Sequence, residues 1–147
     1  MMTKKIRVTL IGAGRYGKEL IAGKYQQNPD SELVAVIAPT RKTSDLIGSS
    51  LEHVPLFPSL EEWMNAHGKP TSQDVFDLCV HPDALPALVS QLGKMGARNM
   101  ILPKPPATTR RAWNQLQGDI QRHSMTILVA SQWHYAALTH ALAEHLA

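Results

Sequence analysis

The junction IRVTLI-GAGRYG-KELIAGKYQQ constrains this chain most. Residues 6–11 are rich in apolar and β-branched side chains, as a strand requires, and residues 15–27 carry helical periodicity; Gly12, Gly14 and Gly17 stand between. A strand that enters a helix through G-x-G-x-x-G, with a second strand inside a unit of about 30 residues, is the arrangement that holds a dinucleotide. Gly12 allows the tight turn, Gly14 lets the backbone approach a pyrophosphate, and Gly17 permits close packing of helix on strand. The helix start offers free N–H groups and a positive dipole end, which places Arg15 and Tyr16 with the glycines among the expected cofactor-binding residues. A bare strand-to-helix turn is the other reading of the same glycines.

The strand–helix alternation continues along the chain. Candidate strands lie at 6–11, 32–38, 54–57, 74–80, 99–103 and 125–130, and candidate helices at 15–27, 43–51, 59–67, 83–96, 108–123 and 134–146. Most of the strands are apolar on both faces, as in a parallel sheet covered by helices on both sides. The order predicts an α/β fold with a doubly wound parallel sheet of about six strands, the Rossmann fold, as a single domain over residues 1–147. Local signals agree with it. Ser59 and Glu62 have capping-box spacing, Asp83 stands where it can cap a helix, Pro86 fits only a first turn, and Gly96 can end that helix in the left-handed conformation.

Composition excludes several other classes. A chain of 147 residues can bury a core without disulfides or metals, and its one cysteine, Cys79, has no internal partner. Cys79 lies in the apolar run VFDLCV and reads as a small buried hydrophobe in a cytoplasmic protein. No apolar run approaches the ~20 residues of a membrane helix, so no membrane partner is expected. The net charge of +3 is spread along the chain without a basic cluster, which argues against nucleic acid as a partner.

The end of the second strand bears on which dinucleotide is held. A site for NAD commonly has Asp or Glu about 20 residues after the glycines, on the ribose hydroxyls. This chain has IAPTRKTS there, with no carboxylate at Ala38, Pro39 or Thr40 and with Arg41 and Lys42 next. Thr40, Arg41 and Lys42 would give a 2′-phosphate donors and positive charge, which favours NADP(H) and leaves NAD as the second choice. As surface bases they can equally be solvated loop charges.

By the fourth and fifth strands the layout resembles the glucose–fructose oxidoreductase, inositol dehydrogenase and MocA-like oxidoreductases. VTLIGAGRYGKEL is similar to that family's opening, VPLFPSLEEWM to its third strand and following helix, and DVFDLCVHPDALPALVSQLGKMGARNMILPKPPA to the stretch that runs to its Glu-Lys-Pro motif. Here the motif reads Pro103-Lys104-Pro105, without the glutamate. The resemblance implies that Lys104 lies near the nicotinamide and the substrate hydroxyl, as a cofactor-binding and catalytic residue. A lysine there can donate a hydrogen bond to a developing oxyanion or relay a proton.

Other positions depart further from the family. His81-Pro82 occupies the place of its Thr-Pro pair, and Pro86 falls near the place of a histidine that often follows. His81 and Pro82 could touch the cofactor, and His81 could instead cap the strand end. SQWHYAAL is only loosely similar to the family's Asn-x-Arg-Phe segment, so Gln132, Trp133, His134 and Tyr135 either border the nicotinamide or pack the last helix. His140 and His145, five residues apart, lack the i, i+4 spacing of a helical metal pair, and no metal site is expected.

Members of the family continue into a second α/β domain that binds substrate and supplies a histidine. The chain ends where that domain would begin, so the resemblance implies a dinucleotide-binding domain that acts on a small-molecule substrate, such as a sugar, polyol or imine, only with a second domain. A non-catalytic regulatory or partner-subunit module on the same fold is the alternative. Pairing into a homo-oligomer is open.

Overall fold

A computed structural model describes residues 5–131 and 136–146. Six parallel strands form one sheet: β1 (Ile6–Ile11), β2 (Ser31–Ile37), β3 (Leu56–Phe57), β4 (Asp74–Leu78), β5 (Asn99–Leu102) and β6 (Thr126–Val129). Their order is β3-β2-β1-β4-β5-β6, with β1 paired to both β2 and β4. The chain moves outward from β1 in one direction, then crosses back to β4 and moves outward in the other. This reversal opens a crevice at the carboxyl ends of β1 and β4. The doubly wound Rossmann arrangement is thus the observed fold. Among the described residues no helix is long and apolar enough to cross a membrane.

Helices α2 (Leu60–His67), α3 (Leu85–Met95) and α4 (Arg110–Arg122) cover one face of the sheet. Trp63, Phe76, Leu78, Leu85, Val89, Leu92 and Leu116 are fully buried there. Each contributes roughly 1.5–3 kcal/mol of transfer free energy before the opposing chain entropy. On the other face α1 (Ala22–Gln27) covers β1 and β2, with Leu10, Ala22, Val36, Leu46 and Leu51 as a smaller core. Farther along this second face, Ile6 and Leu128 remain 48% and 47% exposed. The last helix, α5 (Ala137–Leu146), follows β6.

Several local expectations are met. Ser59 Oγ accepts the Glu62 N–H at 3.1 Å at the start of α2, Pro86 lies in the first turn of α3, and Gly96 ends α3 at φ +97°. Others need correction. The helix expected over 43–51 is only a 3-10 turn at Thr43–Leu46, in which the exposed residues 43–45 leave Leu46 to reach the core, with Leu51 joining it from the turns that follow. Asp83 does not cap α3: a 3-10 turn at Pro82–Ala84 precedes that helix, and His81 Nδ1 accepts the Asp83 N–H at 3.4 Å. The helix expected over 15–27 begins as a π-helix at Tyr16–Ile21 before α1 takes over. Such wide turns are rare and tend to mark functional sites.

Candidate functional site

The glycine turn sits between the carboxyl ends of three strands. Gly12 N–H donates to Ile37 O of β2 at 2.9 Å, and Cys79 N–H donates to Ile11 O of β1 at 2.7 Å. Gly12 has φ +101°, and a Cβ there would collide with the Cys79 carbonyl. A Cβ on Gly17 would stand 2.5 Å from Gly12 O and 3.1 Å from Cys79 Cβ, so Gly17 seats the π-helical turn on the strand end. Gly14 is different: a Cβ there would meet nothing within 4 Å. Two glycines are therefore required by the fold itself, while the third leaves open space above the backbone. That space, at the start of a helical segment, suits a pyrophosphate, so the residues present fit a dinucleotide.

On one side of the turn lies the segment after β2. Arg41 N–H donates to Ala38 O at 3.1 Å, which turns the chain, and Lys42 N–H donates to Asp45 Oδ2 at 2.8 Å. Thr40, Arg41 and Lys42 are all exposed. The turn itself carries an ion pair that the sequence reading did not single out, Arg15 Nε to Glu19 Oε2 at 3.2 Å.

On the other side a cavity of about 330 Å3 opens at the ends of β4, β5 and β6. Tyr16, Cys79, His81, Pro82, Lys104 and Ala130 line it. The structure thus brings Tyr16, His81, Pro82 and Lys104 together, from the glycine turn and from the ends of β4 and β5. Thr108 Oγ1 donates to Asp83 Oδ1 at 2.7 Å, tying the loop after Lys104 to the loop after His81. Asp83 Oδ2 also lies 3.4 Å from His81 Nδ1, with both side chains largely exposed. Lys104 is exposed, and its peptide to Pro105 is cis. Gln132, Trp133, His134 and Tyr135 lie outside the described residues. A larger cavity, about 430 Å3, covers Ile6, Val75, Ile101 and Leu128 toward the opposite ends of the strands. The smaller one is the candidate site, since it adjoins the glycine turn in the crevice where doubly wound sheets hold ligands.

Beneath the cavity floor lies a polar cluster that the sequence reading missed. Asp77, only 5% exposed, accepts the Tyr25 hydroxyl at 2.5 Å on Oδ2 and the Cys79 thiol at 3.7 Å on Oδ1. Burial raises the Asp77 carboxyl above its ordinary range, while these two hydrogen bonds act in the opposite direction. Burial, and then the neighbouring Asp77, push the Cys79 thiol and the Tyr25 hydroxyl upward, so both stay protonated as donors. Tyr16 is raised by burial first and then by Cys79 and Asp77. Cys79 packs half-buried against the smaller core, close to the small buried hydrophobe expected, and its thiol is also hydrogen-bonded. The available signal was an aspartate in the middle of the apolar run VFDLCV, two residues before Cys79.

Residues 6–131 match the model of the GFO_IDH_MocA oxidoreductase family, described as its NAD-binding Rossmann fold. The chain belongs to the Gfo/Idh/MocA oxidoreductase family. Its matched part is an NAD-binding oxidoreductase domain. No curated protein matches the sequence. Among solved Gfo/Idh/MocA-type structures, a provisionally named NADPH-dependent oxidoreductase from Desulfitobacterium hafniense superposes at a TM-score of 0.80 with 14% identity, over 97% of this chain and 39% of that one. The WlbA dehydrogenase from Bordetella pertussis, in complex with NADH and UDP-GlcNAcA, gives 0.77 with 21% identity over 97% and 42%. The D-galactose-1-dehydrogenase protein from Rhizobium etli gives 0.73 with 19% identity over 93% and 40%. The fold is common to all three. This Gfo/Idh/MocA chain spans about two fifths of their length.

Proposed function

We propose that this chain is the NADP(H)-binding domain of an oxidoreductase that moves hydride between nicotinamide and a small hydroxyl, carbonyl or imine substrate. The observation that carries the reading is the open space over Gly14, two residues before Tyr16, which itself lines the cavity shared by His81 and Lys104. The cofactor supplies hydride chemistry at C4 of its nicotinamide, and the protein's part is binding and orientation. The first turn after Gly14 directs N–H groups at the pyrophosphate. Thr40, Arg41 and Lys42, exposed beside Gly12, supply donors and charge suited to a 2′-phosphate. Tyr16 and Cys79 form the floor under the nicotinamide end, and Pro82 packs its edge. The Lys104 ammonium donates to the substrate oxygen as charge develops there. Gln132 is assigned to the same end of the cofactor by resemblance.

Sugar-related compounds are the substrate class favoured here, since the Rhizobium and Bordetella structures carry D-galactose and UDP-GlcNAcA in their names. Holding such a substrate against C4 contributes as much as ~7–11 kcal/mol in well-oriented reactions, and that positioning is assigned to a second domain. A thiol acting as a hydrogen-bond donor suits a reducing, cytoplasmic setting.

Calorimetric titration of the 147-residue chain with NADPH and NADH, together with an absorbance assay against sugars, polyols and imines, tests the reading. The expected result is tighter binding of NADPH and no turnover. Binding of neither cofactor refutes it. Turnover abolished by Lys104→Ala refutes the need for a second domain and supports the lysine.

A further inference from the structure

Asp77 has no part in the chemistry above, yet it is a nearly buried carboxylate one side chain below the cavity floor. Its register neighbours in the sheet, Leu10 of β1 and Ile101 of β5, are apolar. Tyr25 reaches it from α1 and Cys79 from just past the end of β4, both neutral donors. Tyr16 is the ionisable group nearest on the π-helical turn, and His81 and Lys104 are those that share the cavity with Cys79.

We propose that the ionised Asp77 carboxylate sets the preference of the site for oxidised over reduced cofactor. The inference rests on the nicotinamide occupying the cavity over Cys79. The oxidised ring carries a positive charge that the reduced ring lacks, while the two phosphate ends are identical. Cys79 Sγ lies 3.7 Å from Asp77 Oδ1. A ring in contact with that sulfur stands about 8 Å from the carboxylate, where a unit charge alters a binding constant about thirtyfold at an effective dielectric of about 20. A part that merely supports the fold would shift both affinities together, whereas a buried charge shifts their ratio.

The experiment measures dissociation constants of NADP+ and NADPH for the full chain and for Asp77→Asn and Tyr25→Phe, near pH 8. Wild type is expected to favour NADP+ about thirtyfold more strongly, relative to NADPH, than Asp77→Asn does. Tyr25→Phe leaves the carboxyl in place but removes a hydrogen bond that favours its ionised form, so its ratio lies at or below that of wild type and above that of Asp77→Asn. A second arm follows the ratio as the pH is lowered from about 8.5 through the range over which the fold persists, in a His81→Gln background, which removes the imidazole from the cavity. There the preference for NADP+ falls as Asp77 takes up a proton. This arm also decides the matter if Asp77→Asn does not fold. An unchanged ratio in Asp77→Asn, an equal loss of both affinities, or a ratio independent of pH overturns the inference while leaving the function standing. Failure of wild type to bind either cofactor overturns both.

Discussion

Substituting the three glycines one at a time separates what the fold needs from what a ligand needs. At Gly12 an alanine would adopt φ +101° and drive its methyl into the Cys79 carbonyl. The backbone conformation alone costs about 1–3 kcal/mol, and relieving the collision adds to it. At Gly17 the methyl would stand 2.5 Å from Gly12 O, a backbone atom held by β1 and unable to give way cheaply. Each substitution is expected to destabilise the domain by about 3 kcal/mol or more, or to lower Tm by roughly 6–12 °C for a domain of this size. Gly14→Val adds its side chain to open space, so stability should stay within about 1 kcal/mol of wild type. Dinucleotide binding should nevertheless be lost, because the pyrophosphate needs that space. Urea denaturation and NADPH titration of all three variants check this. Wild-type affinity in Gly14→Val would refute the placement of the cofactor. Wild-type stability in Gly12→Ala or Gly17→Ala would refute the packing argument.

Two further outcomes follow from named groups. Arg41→Ala should weaken NADPH by about 1–3 kcal/mol and leave NADH unchanged, as read by calorimetry, if the guanidinium meets the 2′-phosphate; equal losses for both cofactors would count against that role. Asp77 also predicts a pH dependence of stability. Its carboxyl is raised in the folded protein, chiefly by burial, so the fold holds that proton more tightly than the unfolded chain does. The contribution is complete below the unfolded value near 4 and is lost as pH rises through the folded value. Asp77→Asn, which cannot ionise, should therefore gain stability relative to wild type as pH is raised; urea midpoints that differ by the same amount at acid and neutral pH would contradict this.

The strands were legible because their signal is local: apolar runs bounded by Gly, Pro and polar turns fix both identity and order. The glycine spacing was legible for the same reason, including the tight turn at Gly12 and the close packing at Gly17. The π-helical start was not, since periodicity is too coarse to distinguish one wide turn, and Gly17 within it seats against Cys79, far away in sequence. The role of His81 over Asp83 turned on geometry as well. Either residue can accept a backbone N–H, and the Asp83 carboxylate is engaged by Thr108, 25 residues later. The Tyr25–Asp77 pair joins residues 52 positions apart, which no local pattern encodes.

Strand order also explains why residues so far apart in sequence can serve one extended ligand. The proposed phosphate-reading turn of Arg41 follows β2, the glycine turn follows β1, His81 follows β4, and Lys104 follows β5. In the sheet these strands are consecutive neighbours. At about 4.8 Å per strand they place the four segments along a line of roughly 14 Å at one end of the sheet. The crossover from β3 to β4 is what allows this, because it returns the chain to the free side of β1. Had β4 been added beyond β3, His81 and Lys104 would lie on the far side of Arg41 from the glycine turn. The same ordering puts Asp77, on β4, below the proposed nicotinamide end and away from the 2′-phosphate end. Its charge would therefore act on the ring that changes charge with oxidation state and little on the phosphates, which do not.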